Sequence, residues 1–479
     1  MKRSLLRLIA ASSFALAIVA GHASSRPRYG GTVRVLLHDR VNTLDPQGDE
    51  EHTVARDRVA ALIFETLTQM DSLGQPHARL ATSWKSDPAK RSWQFNLRLA
   101  QFHDGSTVTA QDVVNSWQKL NTGWKVSALD KQTVAIETQS PVYHLPEMLA
   151  LPKFAVVRRN PDNTVAGTGP FKISDWRPGE RVTLAANDDY WGGRSFPDSM
   201  EIQLASTMRE QLLERQLGAY AAAELSVDQV RPLEQNNQNI SYSRPSDLMV
   251  VLFLQPDPPN TRPGRKPVDP RIREALSHAM NRAAISNFIL QKKAVPASGI
   301  LPQWLTGYEF LFPGGMNLDR AKELRAETAS LVIVPPISLA YDFADPVAKL
   351  VAERIAVDAR EAGIVVQPYG ESHVSALPAR GAANADAVLL RLPLQSLEPS
   401  VALSSTLDDL ALNDPQSSPL SAPRPEDLFE IERRTLQNFR VVPVAHLSQA
   451  VWLSNSAHNW QQQPNGAWSL DQLWMEGAR

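Results

Sequence analysis

The chain has 479 residues, with 49 basic and 51 acidic side chains, 43% hydrophobic residues, 35 prolines and no cysteine. At about 100–200 residues per domain the length predicts two or three domains, and the hydrophobic fraction is enough for packed cores, which excludes wholesale disorder. The near-neutral charge gives no footprint for nucleic acid, and the lack of cysteine excludes disulfide scaffolds, thiolate metal sites, cysteine nucleophiles and a lipidated N-terminal cysteine.

Lys2, Arg3 and Arg7 precede an apolar run over residues 8–20, and Gly21-His22-Ala23 offers small residues for cleavage, so residues 1–23 read as a signal peptide. The run is shorter than the roughly 20 residues that cross a bilayer. Removing it moves the net charge from −2 to −5. No other segment is long and apolar enough to span a membrane. The expectation is an exported soluble protein, most naturally periplasmic.

Residues 31–37 (GTVRVLL) read as a first strand, followed by a polar loop through Asp45-Pro46. Val59, Leu62, Ile63 and Leu67 share one helical face, which predicts a helix over 53–67. Alternation of Trp93, Phe95, Leu97 and Leu99 predicts a strand over 92–99. His103-Asp104-Gly105-Ser106 is turn chemistry, and Thr109 with Asp112 three residues on marks a capped helix start. Strands are expected at 131–137, 171–176 and 181–185, and a helix at 208–217. Residues 249–254 form a continuous apolar run, read as a buried strand. The five prolines within 256–267 mark a loop, and Asp269-Pro270 opens a helix. An alternating unit follows: strand 331–339, helix 346–362, strand 364–368 and a return strand at 387–392. Residues 407–425 read as surface loop, 428–439 as helix and 441–447 as a late strand. No repeat recurs at a fixed period.

Enzymatic signatures are missing. There is no phosphate loop, no Gly-x-Ser-x-Gly elbow and no His-Glu-x-x-His helix. Gly167-Thr168-Gly169 has Lys172 where a dinucleotide fingerprint needs its third glycine. The ten histidines are scattered without metal spacing. Asp188-Asp189 and Asp408-Asp409 read as solvated loop carboxylates. The sequence therefore points to no catalytic residue, no metal and no cofactor.

Laid out in order, the segments carry a series of landmarks. They run from Gly30-Gly31-Thr32-Val33-Arg34-Val35, Thr43-Leu44-Asp45-Pro46 and Ile63-Phe64-Glu65-Thr66-Leu67 to Leu80-Ala81-Thr82-Ser83-Trp84 and Phe102-His103-Asp104-Gly105-Ser106. Thr109-Ala110-Gln111-Asp112, Gly167-Thr168-Gly169-Pro170-Phe171 and Asn187-Asp188-Asp189-Tyr190-Trp191-Gly192-Gly193 follow. Val268-Asp269-Pro270-Arg271 and Val441-Val442-Pro443-Val444 complete the series. In this order they resemble the extracytoplasmic solute-binding proteins of the oligopeptide/dipeptide/nickel family (family 5), which serve ABC importers.

The resemblance implies an α/β, two-lobed fold of the periplasmic-binding-protein type II (Venus-flytrap) kind, with an inserted subdomain in lobe I. It places lobe I at 28–65, 166–247 and 441–479, the insertion at 66–165, and lobe II at 248–440. Crossovers are expected near 249–254 and 439–444. The implied function is non-enzymatic: a monomeric periplasmic component that captures a peptide-like or other small solute between its lobes and delivers it to the permease subunits. The alternative is a periplasmic sensor or chaperone that keeps the fold without feeding a transporter.

Two departures bear on the solute. Only residues 121–130 separate the helix at Trp117 from the next strand, so the insertion is trimmed and the pocket is expected to be more open on that side. Peptide-binding members carry Trp-x-x-Asp-Tyr-x-x-Pro in lobe II, and its Asp pairs with the peptide ammonium. Here Leu392 and Gln395 stand at the Trp and Asp positions. A neutral amide in place of the carboxylate forfeits on the order of 2–3 kcal/mol against a buried ammonium. Glu398, Glu50 and Glu51 are alternative acids, each also readable as solvated. By family position the cleft is lined by loop 47–52 (with Glu50, Glu51 and His52), Trp124, Leu254, Gln255, Trp304, Arg391, Leu392, Gln395 and Glu398. Trp124 and Trp304 are also readable as ordinary packing. Arg391 is either an anion-binding fork or salt-bridged to a neighbour. The expected solute is a blocked or modified peptide, a glycoside, or an anionic metabolite or chelate.

Overall fold

The computed structural model describes residues 27–476 apart from 28, 49–52, 163, 205–219, 255–266, 330–334, 381–383 and 415–416. The sequence-predicted signal peptide, the 208–217 helix, residues 256–266 of the expected loop and the start of the 331–339 strand lie outside the described residues.

Two large sheets organise the chain. The first has seven strands in the order Phe171–Arg177, Arg181–Ala186, Ser199–Gln203, Thr32–Leu36, Ala222–Leu225, Ala450–Leu453, Ile240–Tyr242. Its centre, Thr32–Leu36, runs parallel to both neighbours. The second has six strands in the order Ala294–Pro296, Val441–Leu447, Asp247–Phe253, Ala387–Leu392, Ile337–Asp342, Val366–Glu371. Here Ile337–Asp342 runs parallel to both its neighbours. All seven residues of Asp247–Phe253 and of Val441–Leu447 are buried, which is why these runs read as continuously apolar rather than alternating. Separate apolar cores pack on the two sheets. The fold is the two-lobed type II architecture.

The chain passes between the sheets at 243–246 and 448–449. The Ser243 N–H donates to the Gln449 carbonyl at 3.0 Å, and the Gln449 N–H donates back to Ser243 Oγ at 2.9 Å. The two passages therefore lie side by side, as a hinge requires. This corrects the expected crossovers. Residues 249–253 and 441–444 are central strands of the second sheet, and the strand placed with lobe I from position 441 pairs with Asp247–Phe253 instead.

Local chemistry sets the helix starts. Thr53 accepts from the Arg56 N–H and opens Val54–Ile63, while Thr109 and Asp112 form a reciprocal capping box at Ala110–Trp117. Asp269 and Asp345 each cap a helix whose first residue is proline, Pro270–Ala279 and Pro346–Glu361. Three other expectations need revision. The Ser92–Leu97 strand ends before Leu99, which is exposed. Leu407, Asp408 and Asp409 belong to a helix, Pro399–Asp409, whose buried side makes residues 407–409 no surface loop. The last helix runs Pro425–Leu436.

A smaller antiparallel sheet, in the order Ala81–Ser86, Ser92–Leu97, Thr133–Glu137, Lys125–Ala128, forms the insertion and buries Trp93 and Phe95. Its attachment to the first sheet centres on Glu65. That carboxylate is buried and accepts from Arg79 Nε (3.0 Å), Thr168 Oγ1 (2.9 Å), Tyr190 OH (2.9 Å) and Trp191 Nε1 (3.0 Å). Arg98 lies 3.4 Å over the Trp191 ring. The landmarks containing Glu65, Thr168 and Tyr190-Trp191 are thus one hydrogen-bonded centre. Gly167 and Gly169 let the chain pass against this point, since a Cβ at Gly167 would stand 1.9 Å from the Ile63 carbonyl oxygen.

Removing the Glu65 carboxylate leaves buried donors and a guanidinium without their acceptor. Glu65→Ala is expected to cost about 3–5 kcal/mol in urea unfolding. Glu430→Ala, at an exposed surface pair with Arg433 and Arg434, should leave the midpoint essentially unchanged; equal effects of the two substitutions would contradict the anchoring role.

Candidate functional site

Ligands of open α/β sheets sit in the crevice beyond the carboxyl ends of parallel strands. In the first sheet the central strand Thr32–Leu36 ends at His38 and Asp39. In the second, Ile337–Asp342 and Ala387–Leu392 end beside the helix starts at Pro346 and Pro399. The charged residues at these ends form one chain across the hinge. Arg58 Nη1 donates to Glu224 Oε1 at 2.9 Å, and Arg58 Nη2 to Gln449 Oε1 at 2.6 Å. Gln449 Nε2 donates to Asp247 Oδ1 at 2.8 Å. Arg391 donates through Nε and Nη2 to Asp247 Oδ2 at 3.2 and 2.8 Å. Arg58 itself stacks 3.8 Å over the Trp468 ring.

These environments set the ionisation. Burial opposes charge on Glu224, but Arg58, His38 and the His38 N–H outweigh it and bring the carboxyl down to about 2. Burial works against the Arg391 guanidinium too, and Asp247 with Asp345 more than reverses it, holding the group well above its usual value. Asp39 behaves oppositely. Burial first, then the Glu224 charge, push its carboxyl up to about 6 against the pull of Arg391, His38 and Arg58.

Among the residues named from sequence, Arg391 is at this crevice, salt-bridged to Asp247 with its side chain 40% exposed. Leu392 and Leu254 are buried in the core of the second sheet. Gln395 Nε2 donates to Asp409 Oδ2 at 2.8 Å. Glu398 caps helix Pro399–Asp409 by accepting from the Val401 N–H and Ser400 Oγ. Trp124 stacks on Phe154 within the insertion, ring centroids 5.5 Å apart. Trp304 Nε1 donates to the Pro245 carbonyl at 2.7 Å beside the hinge. Both tryptophans therefore pack. Glu50, Glu51, His52 and Gln255 lie outside the described residues. Asp39, Arg58, Glu224, Asp247 and Gln449 went unnoticed in the sequence. Only Asp39 had a signal there, as an acid just past the first strand.

The segment that carries the smaller sheet reaches the second lobe. Lys153 pairs with Asp408 at 3.1 Å, the Tyr143 N–H donates to the Leu420 carbonyl, and Ser421 Oγ donates to the Pro141 carbonyl. Val401 and Leu420 pack into the insertion's apolar core. His144 stands between Glu147 (3.5 Å) and Glu398 of the second lobe (3.7 Å).

Comparison with known proteins agrees with this geometry. The description "Bacterial extracellular solute-binding proteins, family 5 Middle" matches residues 75–410. The periplasmic oligopeptide-binding protein OppA of Escherichia coli K12 is 25% identical over 429 residues, covering 78% of this chain and 76% of that protein. The structure superposes on Staphylococcus aureus NikA in complex with Ni(L-His)2 with a TM-score of 0.78 at 19% identity, covering 93% of this chain and all of the other. It superposes on Bacillus subtilis AppA in complex with a nonapeptide with a TM-score of 0.79 at 16% identity, covering 94% and 100%. One fold thus accommodates very different solutes.

The His144 contact carries a pH dependence. The Glu147 hydrogen bond, then the Glu398 and Glu147 charges, raise the imidazole above its ordinary value despite burial. A group raised in the folded state contributes stability that is complete below the unfolded value near 6.5 and is lost as pH rises through the folded value. Hydrogen exchange at the Tyr143 amide should therefore quicken from pH 6 to 8, beyond the intrinsic base-catalysed rise, in the wild type. In His144→Gln that excess should vanish; an equal excess in both proteins would rule out the imidazole as its source.

Proposed function

The chain belongs to the bacterial extracellular solute-binding proteins of family 5, and on that premise we propose that it captures a small solute between its two lobes and presents it to the permease of an ABC importer. The observation that carries this reading is the charged chain Arg58–Glu224 and Gln449–Asp247–Arg391. It lies across a two-strand hinge, at the carboxyl ends of parallel strands from both sheets. A solute touching groups from both lobes favours the closed state by its differential contacts.

The family is one of solute-binding proteins rather than enzymes, and among the described residues no helix is long and apolar enough to cross a membrane. Export by cleavage of residues 1–23, a periplasmic home without a lipid anchor and action as a monomer belong to the same proposal. The basic start and short apolar run support the export signal. We place lobe I at 28–65, 166–246 and 448–479, with the insertion at 66–165, and the strands Asp247–Phe253 and Val441–Leu447 in lobe II. Arg391 remains in the proposed lining, as do loop 49–52 and Gln255 by family position. Trp124, Trp304, Gln395 and Glu398 act in packing, hinge support and helix capping.

Native mass spectrometry of protein purified gently from its own host should reveal a retained solute of small mass. Returned to stripped protein, that solute should lower the radius of gyration in small-angle scattering. An unchanged radius at saturation would contradict lobe closure and favour a rigid scaffold.

A further inference from the structure

The two lobes touch each other away from the hinge, and the contact is built from both sides. On the first-lobe side the 141–159 stretch of the insertion is tied to lobe I. Gln47 Nε2 donates to the Lys153 and Ala155 carbonyls, each at 3.0 Å, and Arg159 pairs with Asp45 at 2.6 Å. On the other side, helix Pro399–Asp409 packs Ala402, Leu403 and Leu407 into the lobe II core. It sends Val401 into the insertion's core, where Leu420 joins it. A rotation about 243–246 and 448–449 that parts the lobes must draw Val401 and Leu420 out of that core. It must also break the Lys153–Asp408 pair, the Tyr143 N–H bond to Leu420 and the Ser421 bond to Pro141. Every partner in this contact belongs to the chain itself.

His144 stands in the middle of it. Nδ1 lies 3.5 Å from Glu147 Oε1 on its own segment, and Nε2 lies 3.7 Å from Glu398 Oε1 of lobe II. Glu398 uses Oε2 to cap its helix, accepting from Ser400 Oγ and the Val401 N–H, so Oε1 is the oxygen beside the imidazole. Glu147 Oε2 is buried and accepts no hydrogen bond among the described residues. A neutral imidazole carries one N–H and serves one of the two carboxylates; an imidazolium carries two and serves both. Lys90, held by Ser86 Oγ at 2.9 Å, is the opposing charge, and the Glu147 hydrogen bond with the Glu398 and Glu147 charges outweighs it. Opening the lobes withdraws Glu398 and leaves Glu147, so the closed state holds the proton more tightly. Its contribution to closure is complete below the open-state value and is lost as pH rises through the closed-state value.

We propose that residues 141–154 of the insertion and 398–421 of lobe II form a clasp that favours the shut cleft through protein contacts alone, and that a proton on His144 tightens it. This rests on the reading of the chain as a two-lobed binding protein and adds a control by external pH. The clasp biases the equilibrium that solute binding completes, and it lengthens the stay of a solute once the lobes are shut. Solute is held longer in mildly acidic surroundings and exchanged more freely in alkaline ones.

The test needs no added solute. The chain has no cysteine, so Asn115→Cys on helix Ala110–Trp117 and Val357→Cys on helix Pro346–Glu361, both exposed, take spin labels at defined points of the insertion and of lobe II. Pulsed electron paramagnetic resonance on the full exported chain, stripped of solute, reads the distance between them at pH 6 and pH 8. Two distance populations are expected, with a short-to-long ratio about two- to fivefold higher at pH 6, the range of a partly exposed ion pair. In His144→Gln the ratio should stay at the wild-type pH 8 value throughout. Asp408→Asn removes the Lys153 pair at a half-exposed position and leaves His144 in place; it should lower the ratio at both pH values and keep its pH dependence. A ratio with the same pH dependence in wild type and His144→Gln would take the proton out of the clasp, and one that Asp408→Asn leaves unchanged would take away the clasp. Either result overturns the proposal and leaves solute capture intact. A single fixed distance under all these conditions also overturns it, and if the solute retained from the host does not alter that distance, the two-lobe reading fails with it.

Discussion

The Asp247 carboxylate is the constraint on which the arrangement of the two lobes turns. It opens the central strand of the second sheet, is 2% exposed, and sits where the chain has just left the first sheet. A buried carboxylate must be met by donors or by a counter-charge, and Asp247 is met by both: Gln449 from the returning passage and Arg391 from the neighbouring strand. The Gln449 side chain turns its amide nitrogen to Asp247 while its Oε1 accepts from Arg58, and Arg58 in turn pairs with Glu224 on the first sheet. Hinge, cleft floor and both sheets are therefore set by one sequence of pairings. It also pairs the Arg391 guanidinium with Asp247 through Nε and Nη2.

The same physics recurs twice more. Glu65 gathers donors from the insertion, from the Gly167-Thr168-Gly169 passage and from the Tyr190-Trp191 loop. In lobe II, Glu309 and Glu432 accept from the amides of Ser298, Gly299, Ile300, Leu301 and Gln303, which fixes the turn that carries Trp304 to the hinge. Burial pushes the Glu432 carboxyl up to about 7, against the pull of the Leu301 amide and Tyr308 hydroxyl. Each centre joins segments far apart in the chain through a carboxylate that water does not reach. Fold specification here is carried by polar hubs as well as by apolar cores.

Much of the secondary structure was legible because its causes are local. Thr109 with Asp112, Asp269 with Pro270 and the apolar run after Asp247 each state their own geometry within a few residues. The order of landmarks gave the architecture. What was not legible was pairing across distance. Asp247 and Gln449, or Arg58 and Glu224, are separated by well over 100 positions and carry no local pattern. The crossovers were misplaced for a related reason: an apolar run marks a buried strand but not the sheet that receives it. Gln395 looks like a ligand residue from its alignment with a family acid, yet its partner, Asp409, closes the next helix at a position inside the 407–425 stretch expected to be loop.

The account reduces to a claim about where a solute is held, and a crystal structure of the protein carrying the solute it retains from its host tests that claim most directly. The prediction is density between the lobes, touching groups of both, with the Asp247–Arg391 pair intact. A solute bound away from this floor, or one that breaks the Asp247–Arg391 pair to reach it, would contradict the account.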